Sequence, residues 1–132
     1  MLVNNNYFSL KTTNVDKIKH GFFTRLNGFS KKQFKSLNCS FSIGDEQKIV
    51  LKNRETALKK LKLNKKKLIL LNQTHSSKVI RINKNNLNKI TNADGMFTSL
   101  KYVALGVLTA DCAPIFIYDN KKKFICSLHS GW

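Results

Sequence analysis

Residues 103–132 read VALGVLTADCAPIFIYDNKKKFICSLHSGW, and the fold turns on how this stretch divides. Three apolar runs, Val103–Leu108, Ile115–Tyr118 and Phe124–Leu128, read as strands. Between the last two, the Lys/Asn-rich piece Asn120–Lys123 reads as a solvated turn. The apolar stretch Val103–Tyr118 is cut by Asp111 and holds the single proline, so it is no uninterrupted membrane span of about 20 apolar residues. Two groups able to ligate a metal stand just after strands: Cys112 after Val103–Leu108, and His129 after Phe124–Leu128.

Working toward the N-terminus, Leu68–Leu71 and the alternating Lys78–Ile82 predict two further strands. Asn64–Lys67 and Lys84–Lys89 read as solvated turns. Val50, Ala57, Leu58 and Leu61 recur at helical spacing and predict a helix over Gln47–Leu61. Asp45 reads as its N-cap, with Glu46 adding favourable charge in the first turn. Tyr7–Lys11 predicts an edge strand, Gly21–Thr24 (GFFT) is a short apolar run, and Asn27-Gly28 signals a tight turn. The sum is a mixed α+β fold with several strands and at least one early helix.

A chain of 132 residues allows one domain and hardly more. With 42% hydrophobic residues, wholesale disorder is excluded. The formal charge of +17 suggests a polyanion partner. However, only Arg25, Arg54 and Arg81 are arginines among 24 basic residues, and the lysines are spread along the chain. Lys and Asn share A-rich codons, so an AT-rich genome yields this balance without selection for binding. Nucleic acid is therefore expected to adhere only non-specifically, through salt-sensitive charge attraction. Three cysteines, an odd count, and a start (MLVNNNYFSLK) without a basic-then-apolar leader predict free thiols in a reducing cytoplasm.

His75, in Gln73-Thr74-His75, follows Leu68–Leu71 as Cys112 and His129 follow their strands. If those strands run in one direction within one sheet, all three groups arrive at one edge. Two imidazoles and a thiolate form a zinc set with an open fourth position, where a bound water would titrate near a pKa of about 7. Two other readings stay open: a buried cysteine beside two hydrogen-bonded histidines, and a Cys112 nucleophile with a histidine base. In a chain so rich in Lys, each Arg calls for a reason, because only the planar guanidinium grips phosphate through paired hydrogen bonds. Arg54 lies four residues from both Val50 and Leu58 and points inward or toward a site, and Arg25 directly precedes a turn. Both are candidates for an anion subsite, or for pairing with Asp94 or Asp111; Arg81 is expected to face solvent. Asp111 and Asp94 each could orient a ligand histidine or cap a turn. Cys39 and Cys126 read as packing residues and His20 as a hydrogen-bonded structural one.

The ordered set HGFFTR (His20–Arg25), SLN (Ser36–Asn38), IGD (Ile43–Asp45), NR (Asn53–Arg54), QTH (Gln73–His75), ADGMFT (Ala93–Thr98), TADCAPI (Thr109–Ile115) and HSGW (His129–Trp132) carries a family resemblance. It resembles the polyphenol oxidase laccase-domain proteins, also described as purine nucleoside phosphorylases and as peptidoglycan editing factors. The resemblance runs from about His20 to the last residue. It implies a layered α/β/α-type α+β fold with zinc, or copper, held by His75, Cys112 and His129. It also implies phosphorolysis of adenosine, inosine, guanosine and methylthioadenosine, and hydrolytic deamination of adenosine. Purine nucleosides and phosphate are then the partners, with Arg25, Arg54, Asn38 and Asp111 as the substrate-binding candidates.

A multicopper cluster is not expected, because His20, His75 and His129 are too few to hold one. Asn27 and Ser130 stand where the family more often has Gly and Ala. Family domains continue past the position of Trp132, so residues 1–132 are expected to form a single but incomplete domain. An exposed apolar sheet face and weak activity are expected with it. The alternatives are a cysteine or metal hydrolase acting on a cell-wall precursor, and a basic nucleic-acid-binding protein.

Overall fold

The computed structural model describes residues 2–4, 7–9 and 18–131. Its architecture is mixed α+β, and the chain packs as two compact units, Met1–Asn64 and Lys65–Trp132.

In the first unit, β1 (Leu2–Asn4), β2 (Tyr7–Ser9) and β3 (Phe22–Phe23) form an antiparallel sheet in that order. β2 is therefore central rather than the expected edge strand; Leu10 and Lys11 lie outside the described residues. Tyr7 pairs with Asn4 on one side and Phe23 on the other, and the Tyr7 and Phe23 rings stack at 5.0 Å. Asn27, with φ of 63°, takes the left-handed conformation that the Asn-Gly pair signalled. Gly28 is required next to it, because a Cβ there would collide with the Ser36 carbonyl oxygen and the Leu37 backbone.

Helix α1 (Gln47–Lys60) ends one residue short of the expected span and buries Val50 and Asn53. Lys59 and Lys60 in its last turn suit the negative end of the helix dipole. Its N-cap is Glu46, not Asp45, and Glu46 makes no side-chain cap bond. The Asp45 carboxylate is taken up elsewhere: Oδ2 accepts the Ser30 hydroxyl (2.6 Å) and the Asn38 amide (2.8 Å).

The second unit holds β4 (Lys67–Ile69), β5 (Val79–Arg81), β6 (Gly95–Thr98), β7 (Val103–Leu105), β8 (Ala113–Asp119) and β9 (Phe124–Ser130). β4 and β7 pair in parallel, while the other four form a sheet ordered β5-β6-β9-β8. Within it β5 and β6 are parallel, and β9 is antiparallel to both its neighbours. Pro114 is tolerated because β8 is an edge strand. Ile69, Ile82, Met96 and Val103 form the buried cluster, packed round by Leu71, Ile80, Leu87, Leu100 and Leu105.

β6 was not expected as a strand, because GMFT has no alternation: Gly95, Met96 and Thr98 are all buried. The register places Val79, Gly95, Leu128 and Ile115 in one row across the sheet, and Arg81, Phe97, Cys126 and Ile117 in the next row on the same face. Val79 (49% exposed), Ile115 (40%) and Ile117 (46%) give that face an apolar surface. No helix among the described residues is long and apolar enough to cross a membrane.

Candidate metal centre

Beyond β4 the chain stays extended, and an isolated parallel bridge joins Asn72 to Asn92. Asn72 N–H donates to the Thr91 carbonyl (3.1 Å), and Ala93 N–H to the Asn72 carbonyl (3.2 Å). Two residues further on, this register brings Thr74 level with Asp94. Gln73 ties the same segment to the chain after β7: its amide donates to the Leu108 carbonyl (2.7 Å) and accepts the Leu108 N–H (2.8 Å). That clamp carries the segment leading to Cys112 toward His75. His129 belongs to β9, and its N–H donates to the Asp94 carbonyl (2.7 Å).

The result is a convergence of His75, Cys112 and His129, whose ligand atoms all lie within 4.8 Å of one another. Cys112 Sγ is 3.8 Å from His75 Nε2, and the two imidazole rings meet nearly edge-on, with centroids 4.8 Å apart. Ligands bound about 2.0–2.3 Å from one tetrahedral ion stand roughly 3.3–3.8 Å apart; the Cys112–His75 pair already stands at that spacing, and closing the rest of the set from within 4.8 Å takes about 1–1.5 Å. His75 is exposed while Cys112 and His129 are buried, which leaves an open side. That side is a cavity of about 750 Å³ bounded by His75, Ser76, Lys78, His129 and the apolar row of Val79 and Ile115.

The route to this convergence differs from the expectation of strand ends along one sheet edge. β4 and β7 form one sheet and β9 belongs to another. His129 lies inside β9 rather than after it, and Cys112 immediately precedes β8. Loops pinned by Gln73 and Asp94, not a common strand direction, bring the three side chains together.

Asp94 is 2% exposed, and both its oxygens are filled. Oδ1 accepts the His75 N–H (3.0 Å) and faces His129 Nδ1 (2.8 Å). Oδ2 accepts the Ser76 N–H (2.7 Å) and hydroxyl (2.8 Å), and the Thr74 N–H (3.1 Å). Burial alone would raise its pKa; the hydrogen bonds from Ser76, His129 and Thr74 reverse that and hold the carboxyl well below the usual carboxylate range. Of the two aspartates weighed for orienting a histidine, Asp94 is the one in contact with one. Asp111 is exposed, with Oδ1 3.8 Å from Cys112 Sγ.

In the first unit, Arg54 is half-buried; its Nε–H donates to the Cys39 carbonyl (2.8 Å) and its guanidinium lies 4.0 Å from the Phe41 ring centre. Arg25 is exposed, and its carbonyl accepts the Leu37 N–H (2.8 Å) and the Ser36 hydroxyl (2.7 Å). Asn38 is engaged within its own loop: its amide donates to Asp45 (2.8 Å) and its Oδ1 accepts the Ser40 N–H (2.9 Å). Arg81 is exposed, as expected. Burial pushes the Cys39 and Cys126 thiols up, Arg54 opposing this at Cys39, which suits packing rather than reactivity. His20 Nδ1 lies 3.3 Å from the Ile18 carbonyl oxygen.

The sequence names Asn53 only within the NR pair, and no role was expected of it. It is fully buried, accepts the Phe29 N–H (2.8 Å), and donates to Ser30 Oγ (2.9 Å) and the Asn38 carbonyl (2.7 Å). The available signal was an amide three residues after Val50, on the helix face that turns inward.

Residues 19–132 match the family described as "Multi-copper polyphenol oxidoreductase laccase". The purine nucleoside phosphorylase YlmD of Bacillus subtilis is 31% identical over 127 residues, a span covering 90% of this chain and 46% of that protein. The purine nucleoside phosphorylase SCO2081 of Streptomyces coelicolor is 30% identical over 118 residues, covering 89% of this chain and 49% of its own length. The crystal structure of YlmD from Geobacillus stearothermophilus matches all of this chain and 52% of its own with a TM-score of 0.87; at 22% identity that likeness speaks for the fold alone. The chain thus spans about half the length of the curated relatives it matches. With 114 consecutive residues, from 19 to 132, inside one family's pattern, this chain belongs to the multi-copper polyphenol oxidoreductase laccase family.

Proposed function

We propose that the protein is a metal-dependent purine nucleoside phosphorylase acting on adenosine, inosine, guanosine and methylthioadenosine, with hydrolytic deamination of adenosine as a second activity. The observation that carries this reading is the meeting of His75, Cys112 and His129, with His75 and His129 on the wall of an open cavity. The names of the relatives support the substrate class. Zinc suits two imidazoles and a thiolate, and copper is the competing ion. Bound there, either ion supplies Lewis-acid polarisation at the cavity wall.

The chain's own residues do the rest. His75 and His129 present ring nitrogens, Cys112 its sulfur, and the Val79–Ile115 row offers an apolar floor for a purine. In phosphorolysis a phosphate oxygen bonds to ribose C1′ as the bond from C1′ to the base nitrogen breaks, and the base leaves with a proton. Arg25, being exposed, is assigned to phosphate, with Arg54 as its second guanidinium. Asp111, exposed beside Cys112, is assigned to a nucleoside hydroxyl. Asn38 contributes by holding its loop, since its amide is already engaged. We further infer that residues 1–132 belong to one catalytic domain. The three free cysteines suit the cytoplasm.

The test is release of free base from each nucleoside, with and without phosphate, alongside metal analysis of the purified protein. Cys112→Ala and His75→Ala are each expected to lower turnover by about two orders of magnitude or more and to lose the metal. Full activity in either variant ends the proposal. A second reading, a thiol hydrolase acting on a cell-wall precursor, is favoured by the 3.8 Å approach of Cys112 Sγ to His75 Nε2. A covalent adduct trapped on Cys112 in metal-free protein would select it.

A further inference from the structure

We propose that Asp94 is the positioning residue of the metal centre: one carboxylate fixes the ring of His129 and the backbone of His75 together, so the ligands are arranged before any ion arrives. This rests on the metal-site reading of His75, Cys112 and His129 given above.

The two oxygens divide the work. Oδ1 faces His129 Nδ1 at 2.8 Å, and a buried carboxylate at that distance requires a proton on the nitrogen. In the neutral ring that leaves Nε2 as the nitrogen of His129 with a free lone pair. The main chain holds the same residue from its other side, because His129 N–H donates to the Asp94 carbonyl. At the loop, the N–H groups of Thr74, His75 and Ser76 all point at the one carboxylate. Successive N–H groups converging on an anion form a nest, which requires a left-handed residue in the run. His75 is that residue, with φ of 56°. A non-glycine residue seldom adopts that conformation, and here the carboxylate's acceptance of the three N–H groups accounts for it. The strained backbone of one ligand and the ring orientation of another thus have a common cause.

An amide at position 94 could satisfy only half of this. With its oxygen toward the histidines, its NH2 would face the Thr74 and Ser76 N–H groups, donor against donor. Flipped, its NH2 would face His129 Nδ1 and favour the tautomer with the proton on Nε2, which takes that lone pair away from a metal.

The experiment compares zinc affinity of wild-type protein and Asp94→Asn by competition with a chromophoric chelator at neutral pH, using circular dichroism to establish that the variant is folded. The expected result is a loss of about 10- to 100-fold in affinity. Folded Asp94→Asn protein binding zinc within about twofold of wild type, against that expected range, overturns the proposal and leaves Asp94 a merely structural residue. A second measurement needs no variant: ¹⁵N correlation of the imidazole rings in metal-free wild-type protein. Protonation of His129 at Nδ1, with or without a second proton on Nε2, supports the proposal, and protonation at Nε2 alone overturns it, even if Asp94→Asn fails to fold. Wild-type protein that takes up no zinc overturns the metal-site reading instead, and the ring tautomer still decides the role of Asp94.

Discussion

Two polar networks organise this molecule, one in each compact unit, and they differ in what stands at the centre. In residues 1–64 the centre is a neutral amide, Asn53, bonded to Phe29, Ser30 and Asn38, with Asp45 at the partly exposed rim. In residues 65–132 the centre is a buried carboxylate, Asp94, surrounded by donors from Thr74, His75, Ser76 and His129. A neutral centre is the less demanding way to pin a loop, since a satisfied amide carries no burden of charge burial. A charged centre is harder to bury and is expected where something beyond loop rigidity is required. The contrast separates a network that holds loops from one that holds the candidate metal ligands His75 and His129.

The first way to break the contrast is Asn53→Ala. It strands the Phe29 N–H and the Asn38 carbonyl and opens a void beside α1. Stability should fall by about 3 kcal/mol, read as a lower urea midpoint with unchanged slope. Zinc affinity of the folded variant should stay at the wild-type value, because all three ligands lie between residues 75 and 129. A matching loss of zinc affinity would show that the first network also serves the site. Gln73→Leu is the smaller perturbation and probes the neutral clamp inside the second unit. It leaves the Leu108 N–H and carbonyl without their side-chain partner, at about 1–2 kcal/mol in urea unfolding. A cobalt-substituted sample should also show a weakened thiolate charge-transfer band, since the segment leading to Cys112 loses its tether. An unaltered band would leave Asp94 as the sole organiser.

How much of this was legible follows from which interactions have a sequence signature. Helix α1 was readable because Val50, Ala57 and Leu58 repeat at the period of a helix. β8 and β9 were readable as apolar runs either side of a lysine turn, though both proved longer than the runs themselves. β6 was not readable, because a strand buried on both faces has no polar alternation and four residues are too few to reveal it. The candidate metal set His75, Cys112 and His129 was legible as residue types beside strands, but the geometry inferred for it was not the one found. The convergence depends on a single Asn72–Asn92 bridge and two side-chain clamps, which are long-range pairings that leave no periodic trace. Asp45 and Asp94 illustrate the same limit. Asp45 sits where a local rule offers a helix cap and instead takes donors from Ser30 and Asn38, whereas Asp94 takes the histidine-orienting one of its two expected roles, through a partner 35 residues away that no local rule names.

Acid separates the two carboxylates most finely. Asp45 is held below the usual carboxylate range chiefly by hydrogen bonds from Asn38 and Ser30. Asp94 is held below it against an opposing burial effect, by Ser76, His129 and Thr74. For both, the folded state releases its proton more readily than the unfolded chain. The stability each contributes is therefore complete above the unfolded carboxylate pKa of about 4 and drains away as pH falls through the folded value. Urea unfolding of metal-free protein at a series of acidic pH values should show wild type losing stability progressively below about pH 4. Asp94→Asn should flatten that slope visibly. Asp45→Asn should flatten it only slightly, because Asp45 lies at the solvent-reached rim of its network, where water replaces much of what the folded state supplies. Equal flattening by the two variants would mean that the carboxylate at the rim and the one at the centre are held alike, and the distinction between the two networks would then rest on the histidine alone.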